Sequence, residues 1–256
     1  MDEQMLLNFA IGVGEIMLRS GAETNRIEDT VERILSVKEG AMPEVFVTPT
    51  GFFASIQGEL TGVTTNFVRV TNRSIDLERL VRANALSRNF VEGKITLTEG
   101  FAELERINHS KPFARWLVIL ATGVLCFSFT LLFGGHGSDA AMAFLVGLLL
   151  GGLQIFLSAK NVASFLSNFF GGMLVSATAL SFYILGLCQN YETVIIGSIM
   201  PLVPGFCITT AVRDIMSGDY LSGTSRMAEA TLAATAIAAG VGILLSVYFS
   251  FGGGGA

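Results

Sequence analysis

The chain has 256 residues, of which 51% are hydrophobic and only 14% charged, with a formal net charge of −5. Charged residues make up about a quarter of an ordinary soluble domain, so the deficit argues against a wholly water-exposed protein and points to lipid. The acidic balance, without any basic stripe interleaved with aromatics, argues against a nucleic-acid partner.

The charge is unevenly spread. Residues 1–115 hold 13 of the 16 Lys and Arg and 16 of the 21 Asp and Glu, which implies two solvents with a border near Arg115. We therefore expect an α+β domain over 1–113 and a helical transmembrane domain over 114–256. The start, Met1-Asp2-Glu3-Gln4, lacks the basic and apolar blocks of a secretory signal.

In the first domain, Leu6/Leu7, Ile11, Gly14 and Met17/Leu18 recur at helical spacing, and Gly21 is expected to end that helix. A second helix follows, with Ile27, Val31 and Ile34/Leu35 on one face. Three β-branched or aromatic runs, Glu44–Thr48, Phe52–Gln57 and Thr64–Val70, read as strands. Pro49-Thr50-Gly51 reads as a tight hairpin, with a positive φ at Gly51. Ile75–Phe90 and Glu99–Ile107 read as helices, with Ser74 and Thr98 as their N-caps. The predicted order is ααβββαα, a small three-stranded sheet with helices packed on it.

Five segments approach the ~20 residues that cross a bilayer: about 116–133, 140–159, 162–187, 193–216 and 228–251. Lys111 and Arg115 put the first domain inside. Lys160, Arg213 and Arg226 then all fall in inward loops, and no Lys or Arg falls in an outward one. The expected protein is multi-pass in the plasma membrane, N-terminus cytoplasmic and C-terminus outside.

Enzyme signatures are missing. Neither His109 nor His136 sits in a zinc-protease frame, no Lys is followed by Ser or Thr as a phosphate-binding Walker loop requires, and no G-x-S-x-G elbow occurs. Cys126, Cys188 and Cys207 form neither a disulfide framework nor a zinc site. We expect no catalysis, no metal, no cofactor and no ATP. An intramembrane hydrolase would need a paired nucleophile and base, or two aspartates facing each other in mid-membrane, and only Asp214 lies within an expected span, near its end.

What chemistry there is lies in the spans and in two charged stretches. Gly147/Gly151, Gly172/Ser176 and Ala236/Gly240 are small-xxx-small pairs that let helices approach closely. Asn161, Ser164 and Asn168 recur at spacings of three and four, either as a hydrophilic track or as interhelical glue. Pro201-Leu202-Val203-Pro204-Gly205 must break the fourth span, because each proline removes a backbone donor. Broken helices at membrane depth hold substrates and ions in secondary transporters, although a packing kink would read the same way. Beyond the break, Thr209 could offer a hydroxyl, Arg213 could attract a carboxylate, and Asp214 could pair with Arg213 or take up a proton. Arg226 and Glu229 are three apart and could pair at the inner face. In the first domain, Gly21, Glu23, Thr24, Arg26, Glu28 and Asp29 crowd charge into a helix start. They could serve the helix dipole, or form a network centred on Arg26 that docks on the pore mouth.

Three stretches together resemble the threonine/serine exporter family in its split form, the YjjP-type larger subunit. They are Gly21-Ala22-Glu23-Thr24 through Arg26, Glu28, Asp29 and Thr30; Thr48-Pro49-Thr50-Gly51; and Pro201 to Gly205 continuing through Arg213-Asp214, Ser217-Gly218-Asp219, Gly223, Arg226 and Glu229. The resemblance implies export of small polar metabolites, threonine and serine or dicarboxylates such as succinate, and a separate small membrane subunit as partner. The alternative is a membrane-anchored sensor or regulatory module whose cytoplasmic domain binds a ligand or protein.

Overall fold

The computed structural model describes residues 2–58, 62–71, 73–110 and 113–251. Lys111, one of the two residues expected to set the orientation, lies outside the described residues, as do Pro112 and the glycine-rich end 252–256. The chain resolves into two compact units. One comprises Met1–Lys111 with Cys207–Met227, the other Pro112–Phe206 with Ala228–Ala256. The first junction falls at 111/112, and Cys207–Met227 groups with the N-terminal residues.

The first unit opens with α1 (Glu3–Arg19) and α2 (Thr24–Leu35). Leu6, Leu7, Phe9, Ala10, Val13, Met17 and Leu18 are all fully buried, so α1 is the central helix of its core rather than a one-sided surface helix. It ends because Gly21 adopts φ 90°, which lets the Ala22 N–H bond back to the Met17 carbonyl at 3.0 Å.

The sheet is an antiparallel meander of β1 (Met42–Thr48), β2 (Gly51–Gly58) and β3 (Gly62–Arg69), in the order β1-β2-β3. Alternation decides its faces: Phe52, Ala54 and Ile56 of β2 are fully buried, while Phe53 and Gln57 turn outward. Pro49 and Thr50 form the two-residue loop between Thr48 and Gly51, which pair. At Gly51 the need for glycine comes from crowding, since a Cβ would stand 2.4 Å from the Val68 carbonyl oxygen. Pro43 is tolerated because β1 is an edge strand.

Helices α3 (Leu77–Val91) and α4 (Leu97–Asn108) complete the core, where Phe9 meets Phe90 at 4.8 Å and Phe101 at 5.5 Å. The expected caps are corrected. Asp76, not Ser74, caps α3 by accepting the Arg79 N–H at 3.0 Å. Thr96, not Thr98, caps α4 in a reciprocal box with Glu99. The first unit also contains α9 (Gly205–Met216) from Cys207 onward, and the first two turns of α10 (Tyr220–Ser250).

In the second unit, α5 (Arg115–Leu132), α6 (Gly137–Ala159) and α7 (Ser164–Ile184) are each long and apolar enough to cross a bilayer, as is α10. Helix α8 (Tyr191–Ile199) runs into a 3₁₀ turn at Met200–Leu202, and this pair qualifies as a fifth span only when joined to α9 across the break at Val203–Pro204. The described residues thus contain four candidate spans, or five with the interrupted pair counted as one. Helix α10 begins at Tyr220, eight residues before the expected span. Small residues set the packing. A Cβ on Gly147 would lie 2.7 Å from the Gly123 Cα, and one on Gly240 2.2 Å from the Phe169 carbonyl oxygen.

Candidate functional site

Two polar constellations are built, one in each unit. In the second unit the first cause is Pro201. Lacking an N–H, it leaves the Gly197 carbonyl without its α-helical donor, and the chain tightens into the 3₁₀ turn before breaking at Val203–Pro204. Pro201 and Leu202 line a groove of about 610 Å³ together with Arg115, Thr122, Gln154, Ser158 and Asn168. The Gln154 amide nitrogen donates to the Ser167 carbonyl at 3.3 Å, and the Ser167 hydroxyl donates back to Gln154 Oε1 at 2.7 Å. This reciprocal pair orients an amide that still holds a second N–H.

Of the expected track, only Asn168 reaches the groove. Asn161 precedes α7 with φ 54°, in the loop that ends α6, and Ser164 is the exposed first residue of α7. Pro204 is half-buried at the break, and Gly205 opens α9 with nothing within 4 Å of a Cβ built there. Gln154, Thr122 and Arg115 escaped the sequence reading. Gln154 carried a usable signal as the one side-chain amide within an otherwise apolar helical run.

In the first unit, the N-terminus of α2 and the corner between α9 and α10 form a buried ionic knot. Glu23 stands at the N-cap of α2 but makes no side-chain cap bond. The cap comes instead from Asp214 of α9, whose Oδ1 accepts the Thr24 N–H at 3.3 Å across 190 positions of sequence. Asp214 Oδ2 lies 3.0 Å from Arg226 Nε, and the Arg226 guanidinium also donates to the Ala22 carbonyl at 2.8 Å. Asp214 is 1% exposed and Arg226 6%. Arg213 pairs with Glu23 at the rim, its side chain 67% exposed. The corner is tight because Gly218 takes φ 94° and because a Cβ on Gly223 would stand 2.9 Å from the Ala211 carbonyl oxygen.

Glu229 lies one turn beyond Arg226 on α10. The contacts correct two expectations. Asp214 pairs with Arg226 rather than Arg213. The knot is centred on Asp214 and Arg226, not Arg26, which lies exposed beside Asp29 along another hollow. Thr209 is exposed on α9. Glu28 accepts the Val47 N–H at 2.9 Å and ties α2 to β1. Burial pushes its carboxyl above the ordinary range; the Val47 bond opposes this, and nearby Asp219 adds to it. Among the described residues, no group of three or more His, Cys, Asp and Glu could hold a metal ion.

Several bilayer-length helices and a mixed α/β domain define a multi-pass α-helical membrane protein. Its membership is specific: the chain belongs to the threonine/serine exporter family, ThrE, whose profile matches residues 8–248. It is similar to a threonine/serine exporter of Corynebacterium glutamicum, 23% identical over 93% of this chain and 50% of that protein. It is also similar to a protein named probable succinate transporter subunit YjjP of Klebsiella aerogenes, 30% identical over 56% of this chain and 57% of the other. Pheromone-regulated membrane protein 10 of Pichia sorbitophila matches at 24% over 86% of this chain but 22% of its own length. The chain spans about a fifth to just over half the length of these curated relatives. No solved structure matches it.

Proposed function

We propose that the chain is a subunit of a secondary-active exporter of small polar metabolites, either threonine/serine-type amino acids or dicarboxylates such as succinate. It works with a second, smaller membrane subunit in the plasma membrane, with the N-terminal domain (1–113) cytoplasmic and the C-terminus outside. The observation that carries this reading is the interrupted helix whose Pro201 and Leu202 line a groove of mixed polar and apolar walls, with Arg115, Gln154 and Asn168 among them. Backbone without its helical partner at membrane depth is tolerated against protein or water, which makes such breaks suitable for ligands. The names of the relatives support the substrate class, and the one named a transporter subunit supports the division into subunits.

In this mechanism the Arg115 guanidinium attracts a substrate carboxylate at the groove mouth. The Gln154 and Asn168 amides hydrogen-bond its polar groups. Five spans, counting the pair broken at Val203–Pro204 as one, supply half of a paired-repeat transporter, and the partner subunit completes the path. Arg213, Asp214 and Arg226 act as a tie that fixes α9 and the start of α10, not as substrate ligands.

The test is counterflow of threonine and of succinate in proteoliposomes containing this chain and its partner. Gln154→Leu and Pro204→Ala, at equal reconstituted levels, should each slow exchange about tenfold, the effect of ~1.4 kcal/mol lost from the transition state. Wild-type exchange in both variants would overturn the assignment.

A further inference from the structure

Away from both constellations, the N-terminal unit has a hollow of about 410 Å³ lined by Arg26, Asp29, Thr30 and Arg33 of α2 and by Val81, Asn84, Ser87 and Arg88 of α3. Positions 26, 29, 30 and 33 form one stripe of α2, and 81, 84 and 88 one stripe of α3. Ile27, Val31, Ile34 and Leu35 on the other side of α2 are fully buried, so the core fixes the orientation of its charged stripe. We infer that this hollow is a second ligand site, a pocket for a phosphate-type oxyanion held by Arg26, Arg33 and Arg88.

Charge is the first argument. Among the described residues, Arg26, Arg33 and Arg88 make no ion pair with a carboxylate, whereas Arg19, Arg79, Arg82 and Arg106 of the same unit are paired at 2.6 to 3.4 Å. Three guanidiniums line the hollow with one carboxylate, Asp29, while Glu92, one turn beyond Arg88, lies outside the lining and feels that guanidinium. The lining itself carries the positive excess, which suits an anion.

The neutral groups sharpen the assignment. The Thr30 hydroxyl donates to the Arg26 carbonyl at 2.7 Å, the Ser87 hydroxyl to the Asn84 carbonyl at 2.9 Å, and the Asn84 amide to the Leu80 carbonyl at 2.9 Å. Most of their protons are committed to the helices, so an anion in this hollow has to be bound by the guanidiniums. Their planar forks suit a tetrahedral group with charge spread over several oxygens. The volume exceeds that of the anion alone, and Val81, 65% exposed, offers an apolar lip for an organic remainder. Such a group can come from a free phosphorylated compound or from a phospholipid headgroup.

The experiment titrates pyrophosphate, at constant ionic strength, into the full chain in nanodiscs of phosphatidylcholine, with heat as the readout. Saturable binding is expected. Arg33→Gln and Arg88→Gln should each weaken it about tenfold, ~1.4 kcal/mol apiece. Arg82→Gln, whose guanidinium is engaged by Glu103, should leave it unchanged. Repeating the titration in nanodiscs containing phosphatidylglycerol separates the sources: loss of binding there identifies the lipid headgroup, and persistence identifies a free phosphate compound. No saturable binding in phosphatidylcholine, or equal affinity in wild type and Arg33→Gln/Arg88→Gln, would overturn the inference.

Discussion

Replacing Arg226 by Met removes the counter-charge of a carboxylate that has almost no water to turn to. Asp214 keeps the Thr24 N–H at 3.3 Å but loses the guanidinium 3.0 Å away, and the Ala22 carbonyl loses its donor. Breaking one side of a buried pair leaves an uncompensated charge and costs about 3–5 kcal/mol. The Arg213–Glu23 pair at the rim serves as an internal comparison. With Arg213 two-thirds exposed, Arg213→Met should cost only about 0–1 kcal/mol, and less in high salt. Thermal unfolding in detergent, followed by circular dichroism, should show Arg226→Met lowering the apparent Tm by roughly 6–20 °C. The double variant Asp214→Ala/Arg226→Met should recover much of that loss, because no orphaned charge remains, and the cycle should give a coupling of at least about 2 kcal/mol. Equal, small shifts for Arg213→Met and Arg226→Met, or additive effects in the cycle, would refute the claim that the buried pair holds this corner.

Three further outcomes follow from the same contacts. Gly240→Ala puts a methyl 2.2 Å from the Phe169 carbonyl oxygen and should cost about 1–3 kcal/mol, read as a lower Tm and poorer yield in detergent. Glu28 binds a proton more tightly folded than unfolded, so its contribution grows as pH falls through its raised folded pKa toward the ordinary 4.5 and is lost as pH rises again. Glu28→Gln should flatten that part of the stability–pH curve, and an unchanged curve would contradict the burial argument. Thr96→Ala removes the reciprocal cap of α4 and should destabilise the N-terminal unit by about 1 kcal/mol in a denaturant midpoint.

Local physics made much of the fold readable from sequence. The β-branched and aromatic runs marked the three strands, and Pro49-Thr50-Gly51 marked the hairpin, because both signals are complete within a few residues. The caps of α3 and α4 were misassigned by two residues. Ser74 and Thr98 have suitable side chains, but only Asp76 and Thr96 stand one residue outside their helices. The first two turns of α10 were hidden because Ser222 to Arg226, with Gly223, Thr224 and Ser225, interrupt the apolar run. The ionic knot was half legible. Its members were singled out, but their pairing was not, because nothing local connects Thr24 to Asp214 or Ala22 to Arg226. The groove was legible only at Pro201 and Asn168. Its other polar members come from helices whose rotation is set by the glycines packed behind them.

Those glycines also dictate where the transmembrane unit can yield. Helices α5, α6 and α8 meet with almost no side-chain cushion, through Gly147 on Gly123 and Gly197 on Thr130, and α7 and α10 are joined as closely at Gly172 and Gly240. Two stiff blocks result. Between them, at Gly171, the neighbours are instead side-chain tips, those of Leu202 and Leu150 with the Gln154 amide that Ser167 holds. A shift of α7 along α6 there has to break the Gln154–Ser167 pair, so it would be felt directly at the groove wall.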